Sequence, residues 1–214
     1  FHQVLLPKTY FGFLNVTPRV GGRVTYYGDT DGPQWQHLTE QTRAVFNTGA
    51  EVSFKAYRVW RDAENRFWDV DCLRHILEPS VNYAYTPRPD ARPMELPQFD
   101  GEIPSLRLLP VQYPDYNSID AIDSQNVLRL GMRNKLQTKR EGKVEDVLDW
   151  AILTDWRVDP MATQDDFNDI YSELDFKPRR WLTINTEMRA DPNRGTLDES
   201  QSSAILKPGT DWSF

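Results

Sequence analysis

The residues best suited to acid–base or metal chemistry are His75 with Glu78, and the acidic set Asp165, Asp166 and Asp169. His75 and Glu78 are three positions apart, so in a strand they point to opposite faces and cannot share a metal ion or a proton. The acidic set has the carboxylates that calcium sites and glycosidases use, but acidic loop residues are usually solvated without a ligand. We expect no metal site in either place.

The hydroxyl and thiol groups of the chain also lack the setting of a nucleophile. Ser80, Ser118 and Ser124 have neither the strand–turn–helix context nor the Gly-x-Ser-x-Gly spacing of a nucleophile elbow. Cys72 is the single cysteine, which excludes an intrachain disulfide and a thiolate zinc cluster. The sequence therefore predicts that the chain is not an enzyme and uses no cofactor.

The elements that carry these residues are predicted to be strands, because apolar and polar residues alternate with period 2 and no helical stripe of similar length competes. The clearest case is residues 74–87, where Leu77, Val81, Tyr83 and Tyr85 alternate with polar positions. The same pattern predicts strands over residues 15–27, 43–60, 128–137, 148–158, 170–176 and 182–190, with loops over 28–42, about 88–123 and 191–209. We expect one all-β domain over residues 1–214, with about eight antiparallel up-and-down strands.

Strand and loop lengths point to a particular kind of sheet. Short and long connections alternate, so tight turns collect at one end, and the strands reach about ten residues, near the length that crosses a bilayer at a tilt. Trp60, Phe67, Trp68, Phe176 and Trp181 flank the short turns, as in an aromatic girdle at a membrane interface. Alternation alone does not say whether the apolar face meets lipid or forms a soluble core.

Composition narrows the partners. The net charge of −7 argues against a nucleic-acid partner, and 12% aromatic residues supply rings suited to an interface. The sequence has no apolar run long enough for a transmembrane helix and no signal peptide. It starts at Phe1 without methionine and ends in a strand-like segment, 211–214, so we expect a fragment of a longer protein.

Three segments resemble one family: Arg74 to Pro87 with Leu77-Glu78-Pro79, Glu95 to Asp100 with Pro97 and Phe99, and Ala121 to Gly131. In their order and in the long loop between them they resemble the carboxyl-terminal barrel of LptD, the lipopolysaccharide-assembly (organic solvent tolerance) protein of Gram-negative bacteria. The resemblance covers roughly residues 11–189 and implies a structural or lumenal place for Leu77, Glu78, Pro79, Pro97, Phe99 and Asp100.

What the resemblance implies is part of a large transmembrane β-barrel in the cell outer membrane, a translocon that releases lipopolysaccharide into the outer leaflet. Its implied partners are lipopolysaccharide, membrane lipid, an LptE-like plug lipoprotein and a periplasmic Lpt bridge that contacts a domain not present in this sequence. Family members can carry interdomain disulfides, a pattern that Cys72 alone cannot reproduce. The alternatives are a soluble carbohydrate-binding β-sandwich and a generic porin-like channel.

The polar face changes from basic on early strands to acidic on later ones. Arg129, Arg133 and Lys135 form a basic arc that either attracts lipopolysaccharide phosphates or an acidic plug surface, or pairs with carboxylates of neighbouring strands. We expect pairing. Glu78, on the same face, is expected to accept a hydrogen bond from a cross-strand arginine or to orient the following loop.

Overall fold

The computed structural model describes residues 1–29, 40–101, 105–160 and 164–207. Within them the chain forms a single antiparallel sheet of eleven strands and one short 3₁₀ turn, Pro93–Glu95. The strands are β1 His2–Leu5, β2 Lys8–Tyr10, β3 Leu14–Tyr27, β4 Gln41–Phe54, β5 Ala56–Asn65, β6 Val70–Thr86, β7 Gln125–Arg140, β8 Lys143–Arg157, β9 Ile170–Arg179, β10 Leu182–Asp191 and β11 Thr196–Leu206. The predicted all-β, up-and-down fold is confirmed. No helix of the described residues is long and apolar enough to cross a membrane.

Strand order follows the sequence, and the eleven segments fill nine positions across the sheet because β1 and β2 both pair with β3, and β4 and β5 both pair with β6. The break between β4 and β5 replaces the single strand predicted over 43–60. It has a local cause: in the register set by Ser53 opposite Ser80 and Ala56 opposite Leu77, Phe54, the last residue of β4, lies opposite Pro79, which has no N–H to donate to the ladder.

The carboxyl-terminal prediction was wrong. The sequence predicted a loop over 191–209, whereas Thr196–Leu206 is strand β11, paired with β10 along its length. Its central run from Glu199 to Ser203 is polar at every position, so no period-2 signal marks it. The strand predicted at 211–214 lies outside the described residues. The amino-terminal strands β1 and β2 had also not been predicted.

Tight connections collect at one end of the sheet, as predicted: residues 11–13, 66–69, 141–142 and 180–181. Glu141 and Gly142 complete their two-residue turn with φ of 50° and 78°, a conformation that glycine adopts without strain. The long connections leave and re-enter the sheet at the other end, between Tyr27 and Gln41, Thr86 and Gln125, and Arg157 and Ile170. The connection after β10 was expected to be longer but is a four-residue turn, 192–195, with Gly195 also at positive φ.

The two faces of the sheet have inverted polarity compared with a soluble protein. Apolar side chains project outward and stay exposed; Val24 and Tyr26 on β3 are 72% and 63% exposed. Several charged side chains of the opposite face are buried; Arg19 and Arg43 are 5% and 1% exposed. A small apolar cluster of Tyr27, Ala91 and Leu96 joins the sheet to the long loop. The hydrophobic residues therefore do not form a central core.

Arg140, the last residue of β7, holds the short turns together. Its guanidinium is buried and donates hydrogen bonds to the carbonyl oxygens of Trp68 at 3.2 Å, Asp69 at 3.1 Å and Pro178 at 2.8 Å. Nearby, the ring of Trp68 lies 4.9 Å from that of Phe67. One arginine thus ties the β5–β6 turn to the end of β9.

We predict that Arg140→Ala lowers the free energy of unfolding of the full-length protein in lipid vesicles by about 3 kcal/mol, because it leaves several buried carbonyl groups without donors. Urea titration followed by tryptophan fluorescence measures the change. Arg180→Ala is the control: Arg180 forms ion pairs with Glu141 and Glu145 but is solvent-exposed, so its loss should lower the free energy of unfolding much less. Equal losses for the two variants would contradict this assignment.

Candidate functional site

The described parts of the long loop, residues 87–101 and 105–124, fold back over the polar face and contact strands from β1 to β10. At one side Gln3 on β1 donates to the carbonyl of Gln112 at 2.9 Å. In the middle Arg129 on β7 donates to the carbonyl of Leu109 at 2.5 Å. At the far side Arg107 reaches Glu187 on β10 at 2.6 Å. The loop is therefore fixed to the inner face of the sheet rather than left in solvent.

Arg43 on β4 is the most buried of these anchors. Its guanidinium donates to the carbonyl oxygens of Asp120 at 3.1 Å and Ile119 at 3.3 Å, and also to that of Ile122. A buried guanidinium with several donors satisfies backbone carbonyls that would otherwise be unpaired under the loop. The sequence shows Arg43 only as one of the basic residues on the early strands. Nothing near it in the sequence indicates that its hydrogen-bond partners lie about 80 residues further along the chain.

Two aspartates close the loop on itself. Asp100 accepts hydrogen bonds from the Ser118 hydroxyl at 2.8 Å and from the backbone N–H groups of Ile119 at 2.6 Å and Asp120 at 3.2 Å. Asp120 in turn accepts from the N–H groups of Phe99 at 2.7 Å and Asp100 at 3.2 Å. Two of the motif residues, Phe99 and Asp100, thus form hydrogen bonds with the segment just before the motif that begins at Ala121. Pro97 is not among these contacts.

The same interactions set the acidity of Asp100. Partial burial disfavours its carboxylate, but the hydrogen bonds from Ile119, Ser118 and Asp120 outweigh that effect and lower the pKa of Asp100 to about 2. Asp120 also accepts from the Tyr27 hydroxyl at 2.7 Å, which connects this loop closure to β3. Ser118, Asp120 and Tyr27 were missed in the sequence, because nothing local to them marks a partner so distant in the chain.

The Leu77-Glu78-Pro79 motif lies at the break between β4 and β5. Leu77 pairs with Ala56 on one side and Asn134 on the other, and Pro79 lies opposite Met132. Glu78 forms an ion pair with Lys55, Oε1 to Nζ 2.9 Å. The expected cross-strand arginine does not take this place: Arg133 faces Glu78 in the ladder but bonds to Asp149.

Each member of the basic arc on β7 lies beside a carboxylate on β8. Arg129 makes two bonds to Asp155, at 2.7 and 2.9 Å. Arg133 makes two bonds to Asp149, at 2.7 and 2.6 Å, and Lys135 lies 3.0 Å from the same carboxylate. This geometry favours the pairing interpretation of the arc, and phosphate binding by Arg129, Arg133 and Lys135 stays an alternative prediction.

The part of the inner face that the loop leaves open is acidic. It surrounds a cavity of about 500 Å³ whose charged lining consists of six carboxylates and two arginines, namely Glu51, Glu78, Asp149, Glu173, Asp175 and Glu187 with Arg107 and Arg133. Arg107 extends from the loop with its side chain 64% exposed and lies 3.8 Å from Glu173. The side chains that face the open cavity thus carry excess negative charge.

Near the opposite end of the strands Asp169, Asp191 and Asp198 bring carboxylate oxygens within 4.8 Å of one another. Their oxygens already have partners. Asp191 accepts from the N–H groups of Asn193 and Arg194 in the β10–β11 turn, and Asp169 lies 3.5 Å from Arg189. The turn and the neighbouring arginine explain this cluster without a ligand. Asp165 and Asp166 lie in the preceding loop, outside it.

A single antiparallel sheet with apolar residues outside, ion pairs inside and a long loop folded over the inner face defines a section of an outer-membrane β-barrel wall. The family model for LptD, LPS transport system D, matches residues 4–214, and the chain belongs to this family. The predicted family is thereby confirmed, and with it a part in lipopolysaccharide transport. The family is a transport component rather than a family of enzymes. No curated protein matches the sequence.

The hydrogen bonds of Asp100 predict how the stability of the loop depends on pH. Because the pKa of Asp100 is lowered from its ordinary value of 3.8 to about 2, its contribution to holding the loop is complete above pH 4 and is lost as the pH falls through about 2. Hydrogen–deuterium exchange of the amides of Ile119 and Asp120, corrected for intrinsic rates, should show protection that falls in this window. Asp100→Asn should show weak protection at every pH; an unchanged profile in this variant would contradict the role of Asp100.

Proposed function

We propose that this chain forms part of the translocon barrel that passes lipopolysaccharide through the cell outer membrane of a Gram-negative bacterium and inserts it into the outer leaflet. The observation that carries the proposal is the inverted polarity of the sheet. Exposed Val24, Tyr26 and their neighbours need an apolar surrounding, whereas Arg19, Arg43 and Asp155 lie on the protected side. A bilayer outside and a polar lumen inside satisfy both faces.

The orientation follows from the connections. In outer-membrane barrels short turns lie on the periplasmic side and long loops outside the cell. The turns at 66–69, 141–142 and 180–181 then face the periplasm, and loop 87–124 closes the lumen from the external side. A periplasmic Lpt bridge would deliver lipopolysaccharide from the short-turn side through a domain outside this sequence.

The acidic cavity bears on which partner occupies the lumen. Glu51, Glu173 and Glu187 repel the phosphates of lipopolysaccharide, so this part of the wall is poorly suited to guide the lipid headgroup. It is better suited to a protein surface with cationic groups, such as an LptE-like plug lipoprotein. Lipopolysaccharide itself would then pass elsewhere along the barrel.

A porin-like channel is the second candidate, because a polar lumen lined with charged residues also suits small solutes. Loop 87–124 argues against it in this section, since the described parts of the loop cross the inner face and are anchored at β1 and at β10. The soluble β-sandwich requires a second sheet packed against the apolar face. The described residues form a single sheet whose apolar face stays uncovered.

An epitope inserted after Pro93 in the full-length protein tests location and orientation together. Met94 beside it is 74% exposed, so the insertion should be tolerated. We expect recovery in the outer membrane and antibody labelling on intact cells. An equal insertion after Gly142, in a short turn, is the control and should be labelled only after the outer membrane is permeabilised. Labelling in the reverse pattern, or recovery as a water-soluble protein, would overturn the proposal.

The role of the basic arc is tested by replacing the two members of one ion pair, Arg129 and Asp155, in successive variants. Arg129→Gln leaves the buried Asp155 carboxylate without its partner, so the amount of folded barrel and lipopolysaccharide export should both fall severalfold. Adding Asp155→Asn removes the unpaired charge and should restore both, measured by heat-modified gel mobility and surface labelling of lipopolysaccharide. Restored folding with export still low would instead assign phosphate binding to Arg129.

A further inference from the structure

Strand β5 has one backbone edge that no described strand pairs. On one side β5 pairs with β6 from Ala56 onward. On the other side its neighbour would be β3, but β3 begins at Leu14, which already lies opposite Phe54 at the end of β4. The chain turns back at 11–13 before it can reach β5. The lengths of β3 and β5 therefore leave this edge unpaired among the described residues.

The open edge is regular over five residues. Its ladder with β6 runs without a shift from Ala56 to Trp60, and a bulge follows between Trp60 and Glu64. Tyr57 is 73% exposed and Val59 is 41% exposed. Five residues of strand span about 17 Å, and an unpaired edge of this kind offers a row of free N–H and C=O groups to another chain. We call Ala56–Trp60 the β5 edge.

The outward face indicates that the β5 edge lies at the bilayer interface and not at the midplane. Beyond Leu77 and Met132, the next outward positions towards the short turns are His75 and Asn134, whose Nε2 and Oδ1 atoms are 3.2 Å apart. Leu73 and Leu136 follow, and Trp60 lies opposite Leu73. Arg58 lies opposite His75 in the ladder. Charged residues on a lipid-facing surface cost about 2–4 kcal/mol at the midplane of the bilayer and little near its interfaces. This step rests on the proposed function, which makes the short-turn end periplasmic.

Charge selects the kind of segment that fits. Three cations lie on or beside the edge, namely Lys55, Arg58 and Arg61, and among the described residues only Lys55 has a carboxylate within ion-pair distance, Glu78. Arg58 instead lies 5.2 Å above the ring of Trp60. A strand that adds to a sheet edge gains affinity from backbone hydrogen bonds and specificity from alternate side chains. Here those side chains call for carboxylates.

We propose that the β5 edge binds an extended acidic segment of a periplasmic protein partner as an additional strand. The backbone groups of Ala56 to Trp60 pair with the segment, and Arg58 forms an ion pair with one of its carboxylates. The alternate groups Tyr57 and Val59 pack against its apolar side chains. None of the residues Ala56 to Trp60 lines the acidic cavity, so a partner bound here leaves that cavity free.

Photo-crosslinking from position 57 of the full-length protein in living cells tests this, with the adduct sequenced by mass spectrometry. We expect an adduct with an acidic stretch of a protein partner, and slower amide exchange over residues 56–60 when that complex is purified. Arg58→Glu should lower the adduct yield about tenfold, because it replaces an ion pair by repulsion. Arg66→Glu, the same charge change at an exposed residue of the adjacent turn, should leave the yield unchanged.

Several results would overturn the proposal: an adduct with lipid only, an adduct with a second copy of the chain, an equal loss in Arg58→Glu and Arg66→Glu, or fast exchange over 56–60 in the complex. Fractionation and surface labelling of lipopolysaccharide in the same cells separate this failure from failure of the proposed function. If only the β5 edge is misassigned, the protein still reaches the outer membrane and lipopolysaccharide still reaches the surface.

Discussion

The architecture depends on one constraint: the protected face of the sheet carries charge, and every buried charge there needs a partner. Two kinds of partner satisfy this constraint. Neighbouring strands supply carboxylates, as Asp155 does for Arg129, and the long loop supplies backbone carbonyls, as Asp120 does for Arg43. The loop is thus a structural part of the wall, since it both covers Arg43 and supplies the acceptors of its guanidinium.

Much of the fold could be predicted, because period-2 alternation is a local signal and both faces of this sheet are distinct. Strands β3, β6, β7 and β8 are marked by it along most of their length. The same signal fails where a strand has no apolar face, which is why polar β11 was predicted to be a loop. It also fails at β5, where Pro79 on the neighbouring strand, and not a feature of β4 itself, ends the pairing.

Less of the candidate site could be predicted from the sequence. Glu78, Asp100 and the basic arc were found because they belong to motifs or to a charged strand face. Their partners were not, since ion pairs such as Lys55 with Glu78 depend on register, and contacts of Arg43 and Tyr27 join residues far apart in the chain. The sequence predicts that the sheet has one polar and one apolar face, but it does not predict which of them faces inward. The folded loop shows that the polar face is the enclosed one.

The reach of loop 87–124 has a consequence for the order of assembly. Its anchors lie on β1, β3, β4, β7 and β10, so the loop cannot complete its contacts until strands from both sides of it have been placed. Contacts between residues so distant in sequence carry a large loop-closure cost and form late. Seating of the loop is therefore a late event, which follows the placement of the strands from β1 to β10 that hold its anchors.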